Sequence, residues 1–242
     1  MLSSVGSGAR AVALDLDGVL IDGMPIHVEA WQRVFRARGI EVEAQDIFKL
    51  EGIPSARVVD AICTSQGLSF SSAERDDIVS AKRKLYRELF TPVPLPGAVP
   101  LVMQLSSYGY ALGVVTGTLH AVAEHALAAL GIRELFAVIV SVDSTGKGKP
   151  APDPYLKFLS ELRLPSPDCL VVENAPAGIA AACAAGLLCV AVATYLPSAH
   201  LSHADFTFSD LAACSAWFEQ EHAQSRGVGS WRESFSQMGK RA

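Results

Sequence analysis

The segment AVALDLDG, residues 11–18, decides the fold because an apolar run passes directly into two acidic residues and a glycine. Such a run predicts a buried strand, and Asp15 and Asp17 then stand where that strand ends. Gly18 supplies the permissive backbone for a turn that would redirect the second carboxylate. Two neighbouring carboxylates repel unless a cation lies between them, and Mg²⁺ prefers such ligands together with phosphate oxygens. The segment therefore predicts a magnesium-dependent acidic site at a strand end.

Similar apolar runs recur along the chain, and each is followed by a stretch with helical spacing. The predicted strands are Ala11–Leu16, Ala111–Thr116, Ala137–Val142, Leu170–Glu173 and Leu188–Ala193. Helices are predicted over Ala98–Ser107, Leu119–Leu130, Pro154–Leu162 and Ala177–Ala185. Buried strands that alternate with helices predict an α/β fold built on a doubly wound, parallel, Rossmann-like sheet.

The interval between the first two predicted strands is far too long for one crossover. It carries helical patterns at Ile26–Arg38, Ser55–Ser65 and Ser72–Leu89. It ends in the proline-rich segment TPVPLPG, residues 91–97, which predicts a stiff joint. We therefore expect an inserted helical cap, residues 24–91, within an α/β core made of residues 9–23 and 92–221. Residues 222–242 are polar and contain glycine, and they predict a terminal helix followed by a frayed tail.

The composition predicts a folded protein without a nucleic-acid or membrane partner. Half of the 242 residues are hydrophobic, 19% are charged, and the formal net charge is −5. The lysines and arginines are scattered, so no nucleic-acid surface is indicated. Residues 175–196 carry no charge and are long enough to span a membrane, but their small residues, Pro176, Gly178 and Gly186 favour a buried helix and a buried strand.

The cysteines and the N-terminal residues predict a cytoplasmic protein. None of the five cysteines forms a C-x-x-C pair, so they are interpreted as reduced and mostly buried thiols. Residues 1–10 contain no apolar core of the kind that a secretory signal has. The oligomeric state is left open by the sequence.

Polar residues stand at the ends of several predicted strands. Thr116 ends the second strand, Asp143 follows the third, and Glu173 and Asn174 end the fourth. Because ligands of open α/β sheets bind outside the carboxyl ends of the strands, these side chains are expected at one edge. Any one of them could instead be an ordinary turn former or helix cap. Their coincidence favours a site.

Two further segments supply groups that could bind phosphate. GKGKPAPD, residues 146–153, places Lys149 in a proline-flanked turn that would hold its charge still. The segment Thr116-Gly117-Thr118 opens a helix, whose free N–H groups make an anion site. Thr118 could be a plain helix N-cap, which is the favoured interpretation for that residue, whereas Thr116 is assigned to phosphate. A Walker-type phosphate loop does not occur in the sequence.

Four motifs in order resemble those of the haloacid dehalogenase-like hydrolases, in the subgroup that includes β-phosphoglucomutases and small-metabolite phosphatases. They are DLDGVL (15–20), VTGT (115–118), GKPAPD (148–153) and VVENAPAGI (171–179). The resemblance implies that the helical cap closes over the site. It also implies that Asp15 is the nucleophile that accepts the phosphoryl group, and that Asp17 protonates the leaving oxygen and then activates water.

The resemblance further implies how the phosphoryl group and its metal are held. Thr116 and Lys149 would hold the phosphoryl oxygens. Mg²⁺ would be bound by Asp15, by the backbone carbonyl of Asp17, and by Glu173 and Asn174, between which the sequence does not choose. Four further residues are predicted to bind substrate together with Thr118: Gly117, His27, Gly52 and Arg57.

The chain departs from the family pattern at three places. Asn174 stands where many relatives have an acidic residue, so the metal site loses a negative charge. Gly23 occupies a hinge position that is often serine or threonine, which could loosen the cap motion. Ser55 falls where mutases have an arginine for a second phosphate, although Arg57 is close by.

His27, in contrast, matches a hinge histidine of the family, with packing on Trp31 as the alternative interpretation.

These features predict a phosphatase that hydrolyses a small phosphorylated metabolite, such as a sugar phosphate, through an aspartyl-phosphate intermediate with Mg²⁺. One alternative is a phosphotransferase that resembles β-phosphoglucomutase. A second is an inactive member that only binds a ligand. A dehalogenase is disfavoured by Asp17, because displacing a halide needs no proton for a leaving oxygen.

Overall fold

A computed structural model describes residues 10–225 and residue 231. Its six strands form one sheet in the order β3-β2-β1-β4-β5-β6, and every neighbouring pair is parallel. The strands are β1 (Ala11–Leu14), β2 (Ala111–Val115), β3 (Phe136–Val140), β4 (Cys169–Glu173), β5 (Leu188–Val192) and β6 (Phe206–Phe208). This order reverses direction next to β1, and it is the doubly wound sheet that the sequence predicts.

Helices cover both faces of the sheet, because each buried strand has apolar side chains on both sides. In β1, Val12 and Leu14 face one hydrophobic cluster, whereas Ala11 and Ala13 face another. The helices in the described residues are α1 (Met24–Arg36), α2 (Ala44–Lys49), α3 (Ser55–Ser65), α4 (Ser72–Leu89), α5 (Ala98–Ser107), α6 (His120–Ala129), α7 (Asp153–Leu162), α8 (Pro176–Ala184) and α9 (Leu211–Ser225). Helices α5, α6 and α9 contribute to the first cluster, and α7 and α8 contribute to the second.

The predicted strands and helices are confirmed, with ends that move by two residues at most. The first strand stops at Leu14 rather than Leu16, so Asp15 begins the turn instead of lying inside the strand. Helix α2 and strand β6 were not predicted. Both are short, and β6 is a half-buried edge strand of three residues, so neither has a sequence pattern long enough to detect.

Helices α1 to α4 lie between β1 and β2 in the sequence and have an apolar cluster of their own. Two connecting segments join them to the sheet and run side by side. The Asp22 amide donates to the Val93 carbonyl at 2.8 Å, and the Leu95 amide donates to the Leu20 carbonyl at 3.1 Å. The helical insert is thus attached through a pair of adjacent segments, which is an arrangement that permits a hinge.

The C-terminal part of the chain was expected to form a terminal helix followed by a frayed tail. Helix α9 continues to Ser225, which agrees with the terminal helix. Trp231 is fully buried and packs against Tyr110 and Phe218, so the expectation is wrong at that residue. The surrounding glycine and polar residues obscure this one anchor in the sequence. Residues 226–230 and 232–242 of the predicted tail lie outside the described residues.

The uncharged segment of residues 175–196 forms α8, which packs in the second hydrophobic cluster, and β5, which contributes to both clusters. Within the described ranges, no helix has the length and apolar character that crossing a membrane requires. All five cysteines are free thiols.

Candidate active site

The carboxyl ends of β1, β2 and β4 meet at the centre of the sheet, since β1 lies between the other two strands. Asp15 directly follows β1, Thr116 directly follows β2, and Glu173 is the last residue of β4. Lys149 reaches the same place from the long connection between β3 and α7. The four side chains are all buried. Residues far apart in the sequence therefore converge at one edge, as predicted.

Lys149 is the centre of this cluster. Its ammonium donates to Asp15 Oδ1 at 2.9 Å, to the Val115 carbonyl at 2.9 Å and to Glu173 Oε1 at 2.5 Å. Burial alone would lower the pKa of Lys149, but the carboxylates of Asp15 and Glu173 raise it above its ordinary value. Lys149 is therefore a fixed positive charge beside Asp15.

Burial raises the pKa of Asp15 to about 7, even though the Lys149 ammonium acts in the opposite direction and the Glu173 carboxylate adds to the rise. A buried carboxylate with another acid nearby holds its negative charge poorly unless further positive charge arrives. Asp15 also lines the cavity between the sheet and the insert, so its carboxylate is accessible to a ligand. A cation bound beside Asp15 would lower this pKa and favour the ionised carboxylate, which is the form that a nucleophile requires.

Asp17 lies in the turn after β1 and faces the helical insert. Its Oδ2 accepts a hydrogen bond from the Thr118 hydroxyl at 3.0 Å, and its Oδ1 accepts one from the Tyr86 hydroxyl at 3.4 Å. His27 Nε2 lies 3.5 Å from the same Oδ1. Burial would raise the pKa of Asp17, but the contacts with His27 and Thr118 favour the carboxylate and hold the pKa below its usual value.

Thr118 is therefore not the helix N-cap that the sequence favoured. Helix α6 begins at His120, its N-cap residue is Leu119, and no side-chain cap is formed there. Asp143, in the loop that follows β3, instead accepts a hydrogen bond from the His120 amide at 3.1 Å. The Thr116 hydroxyl accepts from the Thr118 amide at 3.0 Å, so both threonines stabilise the loop over the site.

A buried lysine supports His27 from the insert. Lys82 Nζ lies 2.6 Å from His27 Nδ1, and the His27 ring stacks on Tyr86 with centroids 4.2 Å apart. Burial lowers the pKa of Lys82 to about 7 although Asp17 acts to raise it. Burial and Lys82 lower the pKa of His27. With Nδ1 occupied by Lys82, a neutral His27 presents its Nε2 proton to Asp17.

Glu173 and Asn174 are the two candidate metal ligands after β4, and their surroundings differ. Both Glu173 oxygens are already occupied: Oε1 by Lys149 and by the Tyr155 hydroxyl at 2.9 Å, and Oε2 by the backbone amides of Asn174 and Ala175 at 3.0 and 3.2 Å. Glu173 therefore positions Lys149 rather than offering an oxygen to a metal. Asn174 donates through Nδ2 to Glu51 Oε1 at 2.8 Å.

Asn174 and Glu51 each retain a buried oxygen without a partner among residues 10–225 and 231. These atoms are Asn174 Oδ1 and Glu51 Oε2. Burial, together with the nearby carboxyl groups of Asp15, Asp17 and Glu173, raises the pKa of Glu51 well above its usual value. Buried oxygens that lack a hydrogen-bond partner and lie among acids are unfavourable without a cation. Oxygen ligands of this kind suit Mg²⁺.

Side chains of His, Cys, Asp and Glu alone do not account for such a site. In the described part of the chain, no group of three or more of these side chains is arranged to hold a metal ion. The fit therefore depends on an amide oxygen and a backbone carbonyl in addition to Asp15, which are ligand types that Mg²⁺ accepts.

A cavity of about 290 Å³ lies between the sheet edge and the insert. Its floor includes Asp15, Asp17 and Thr116, and its apolar wall comes from insert residues such as Trp31 and Val79. Lys82, Arg83 and Arg87 of α4 also line it. A cavity with a charged floor and an apolar wall suits a small ligand with an anionic head.

The structure brings most of the predicted substrate-binding residues to this cavity. His27, Gly52, Gly117 and Thr118 all line it. Gly52 adopts φ +79, a left-handed conformation that favours glycine, and it lets the loop after α2 lie against the sheet edge. Arg57 is different because it is exposed on α3 and is not part of the cavity wall. On a helix it lies on a different face from Ser55, which does line the cavity.

Sequence reasoning missed four residues of the site: Glu51, Lys82, Tyr86 and Tyr155. Lys82 stands in a run of charges on α4 that is typical of a solvated helix face. Its burial could have been suspected only from its spacing of four from Tyr86 and Ile78, which are both buried. Glu51 follows helix α2 in a loop, and the sequence around it carries no local signal that its side chain reaches Asn174.

The model of the haloacid dehalogenase-like hydrolase family matches residues 9–186. The chain belongs to this family. The match contains the segments that carry Asp15, Thr116, Lys149 and Glu173, so the family resemblance inferred from the motifs is confirmed.

Individual relatives fall on both sides of the predicted choice between phosphatase and mutase. The validoxylamine A 7′-phosphate phosphatase of Streptomyces hygroscopicus subsp. limoneus is 32% identical over 204 residues, covering 84% of this chain and 94% of that protein. The fructose-1-phosphate phosphatase of Escherichia coli (strain K12) is 32% identical over 175 residues, covering 72% and 90%. The solved β-phosphoglucomutase of Clostridium difficile has a TM-score of 0.78 at 25% identity, covering 90% and 98%.

Proposed function

We propose that this protein is a phosphatase that hydrolyses small phosphorylated metabolites, with sugar phosphates as the first class to test. The observation that carries the proposal is the placement of Asp15 on the floor of a cavity, with the Lys149 ammonium 2.9 Å from its carboxylate. Two similar relatives are phosphatases of small phosphorylated compounds, by their names. The cavity volume of about 290 Å³ suits such a ligand.

Asp15 attacks the phosphorus atom and forms an aspartyl phosphate, which divides one difficult displacement into two steps. Lys149 and the Thr116 loop stabilise the phosphoryl oxygens, because phosphoryl transfer depends on positioning and on neutralising dispersed charge. Mg²⁺, held by Asp15, the Asp17 carbonyl and Asn174, would supply further neutralisation when bound. Glu173 keeps Lys149 in place and is not assigned to the metal.

Asp17 protonates the leaving oxygen and afterwards takes a proton from water. In the substrate-free protein its contacts favour the carboxylate, but a phosphate dianion that arrives beside it would raise its pKa. His27 and Tyr86 hold the Asp17 carboxylate from the insert side, while Thr118 holds it from the sheet side. This clamp keeps the acid–base group within reach of the leaving oxygen.

We further propose that residues 24–91 act as a cap that closes the cavity and excludes water, with residues 9–23 and 92–221 as the catalytic core. The paired connecting segments allow this motion. The five free thiols suit a reducing compartment, so we place the reaction in the cytoplasm.

A phosphotransferase is the alternative because the β-phosphoglucomutase neighbour covers 90% of this chain. Arg57, which could have bound a second phosphate, is exposed and outside the cavity wall, so hydrolysis is favoured. Incubation with a hexose 1-phosphate and a bisphosphate separates the two, since only a mutase yields the 6-phosphate without net phosphate release. An inactive, ligand-binding member is disfavoured by the intact Asp15, Asp17 and Lys149.

The proposal is tested by a screen of phosphorylated metabolites that measures released phosphate in the presence of Mg²⁺. We expect at least one small phosphate ester to be hydrolysed, and p-nitrophenyl phosphate to serve as a general substrate. Asp15→Asn provides the matched blank, since it keeps the shape of the side chain and removes the nucleophile. Equal phosphate release by wild type and Asp15→Asn would overturn the proposal.

A further inference from the structure

We propose that Glu51, a carboxylate of the inserted cap, supplies the negative charge that Asn174 lacks, so that the magnesium site is completed across the contact between cap and core. The inference rests on the proposed function for the identity of the cation. It goes beyond that function because it assigns a role to a cap residue and makes metal binding depend on the position of the cap.

The first observation is the contact itself. Glu51 lies in the loop between α2 and α3 of the cap, whereas Asn174 follows β4 of the core. The two side chains are joined by the 2.8 Å hydrogen bond from Asn174 Nδ2 to Glu51 Oε1. Glu51 is 5% exposed and Asn174 is 1% exposed, so their contact is buried and is not a surface pairing.

The second observation is that the contact leaves both groups incomplete. Asn174 Oδ1 and Glu51 Oε2 are buried and have no hydrogen-bond partner within residues 10–225 and 231. Because Glu51 Oε1 receives the nitrogen end of the amide, Oδ1 is left as the free oxygen of Asn174. Glu51 thus orients the one Asn174 atom that can bind a cation.

The third observation places this pair beside the acidic turn. A Cβ atom at Gly18 would lie 2.0 Å from Asn174 Nδ2 and 2.9 Å from Glu51 Oε1, so the pair packs directly on that backbone. Gly18 has φ +87 and directly follows Asp17, whose carbonyl the family resemblance assigns to the metal. The pair therefore borders the turn that carries Asp15 and Asp17.

The charge of Glu51 is what Asn174 lacks. An asparagine at position 174 contributes an oxygen but no charge, and an acidic residue at this place would contribute both. Glu51 restores the missing charge from the cap, through its direct contact with Asn174. Because its partner Asn174 is in the core, a cation that attracts both groups also holds the cap against the core.

The test measures Mg²⁺ affinity of the substrate-free protein by isothermal titration calorimetry, so that it does not depend on turnover. Glu51→Gln keeps an acceptor for Asn174 Nδ2 and removes the charge, and we expect Mg²⁺ to bind about 10-fold to 100-fold more weakly. Glu43→Gln removes an exposed charge from the same cap and should bind Mg²⁺ as wild type does. The double variant E51Q/N174D moves the charge to the core and should recover the affinity to within about threefold of wild type.

Unchanged affinity in Glu51→Gln would overturn the inference, and so would a double variant no better than Glu51→Gln. Circular dichroism in the presence of chelator checks that each variant is folded. Should Glu51→Gln not fold, Asn174→Ala provides the decision, because wild-type Mg²⁺ affinity in that variant would equally overturn the inference. A wild-type protein that binds Mg²⁺ but hydrolyses no phosphate ester would contradict the proposed function and leave this inference intact.

Discussion

At the scale of single residues, the site depends on one ammonium that balances two buried carboxylates. Lys149 contacts Asp15 and Glu173, whose side chains are only 5% and 0% exposed. An ion pair in such a position contributes little beyond a well-packed apolar alternative, but removing one partner leaves an uncompensated buried charge. Lys149 is therefore needed for folding as well as for the chemistry that we propose.

Lys149→Met should lower the free energy of unfolding by about 3–5 kcal/mol, as breaking a buried pair does. The measurement is urea unfolding of the variant and the wild type in the same buffer with chelator. Lys157→Met is the matched control, because Lys157 forms a half-exposed pair with Glu161 and its loss should cost less than about 1 kcal/mol. Equal, small losses in both variants would contradict the assigned role of Lys149.

Lys82 leads to a prediction about pH. Burial lowers its pKa from 10.5 in the unfolded chain to about 7 in the folded protein, although Asp17 acts to raise it. At pH 7 and below, folding must bury the charged ammonium. Above pH 7 the folded protein has released this proton while the unfolded chain still holds it, so the penalty falls as the pH rises towards 10.5.

Lys82→Met should therefore be more stable than wild type near pH 7, and this advantage should shrink by up to about 1.4 kcal/mol per pH unit above pH 7. Urea unfolding of both proteins at several pH values measures the difference. Lys84→Met removes an exposed lysine from the same helix and should leave the pH dependence of wild type unchanged. A stability difference between Lys82→Met and wild type that does not vary with pH would contradict the burial argument.

At the scale of elements, the turn between β1 and α1 positions Asp17. Gly23 is the N-cap of α1 with φ −85, a conformation that alanine adopts without strain. A Cβ atom at this position would nevertheless lie 1.8 Å from Asp17 Oδ1. A side chain at Gly23 therefore cannot coexist with the contacts that Asp17 makes to His27 and Tyr86. The glycine gives this chain room for an acid–base group that leans towards the cap.

Gly23→Ala should displace the Asp17 carboxylate without unfolding the protein. We expect turnover of p-nitrophenyl phosphate to fall about 10²-fold to 10⁴-fold, which is the usual contribution of a general acid–base group. The melting temperature should stay close to that of wild type. Gly146→Ala is the control, because nothing lies within 4 Å of a Cβ atom at Gly146. Full activity in Gly23→Ala would contradict the claim that catalysis needs the Asp17 carboxylate in the place that Gly23 leaves open.

The elements also show which features a sequence can predict. The strands were predictable because buried parallel strands are continuous apolar runs, and the polar residues at their ends then fall at one edge. The contacts of Asp17 with Tyr86 and His27 were not predictable, because they depend on how α4 and α1 dock above the sheet. The same holds for Glu51, since a buried acid in a loop has no periodic pattern that would reveal it.

At the scale of the whole molecule, the cavity is formed by two parts of the chain that contribute different groups. The sheet edge contributes Asp15, Thr116 and Lys149, which would act on the phosphate, and the insert contributes the apolar wall. Closure of the insert would exclude water from the charged floor and so strengthen its electrostatic interactions. Under the proposed function, recognition of the substrate and the chemistry on it would thus be divided between cap and core.

The proposed ligands Asp15, Asn174 and the Asp17 carbonyl predict that phosphate release depends strictly on Mg²⁺. Chelator should abolish phosphate release from p-nitrophenyl phosphate, and added Mg²⁺ should restore it. Ca²⁺ should inhibit, because its looser coordination geometry would misalign Asp15 with the phosphorus atom. Equal rates with chelator and with Mg²⁺ would contradict the metal assignment.

The central claim is that Asp15 carries the phosphoryl group, and trapping the intermediate tests it most directly. The enzyme is quenched in acid during turnover and reduced with borohydride, which converts an aspartyl phosphate to homoserine. Tandem mass spectrometry then identifies the modified residue. The account predicts homoserine at position 15, with Asp17 unmodified and no homoserine in Asp15→Asn. Homoserine at another position would contradict the account. So would the absence of homoserine from an active enzyme that is quenched while a covalent intermediate accumulates.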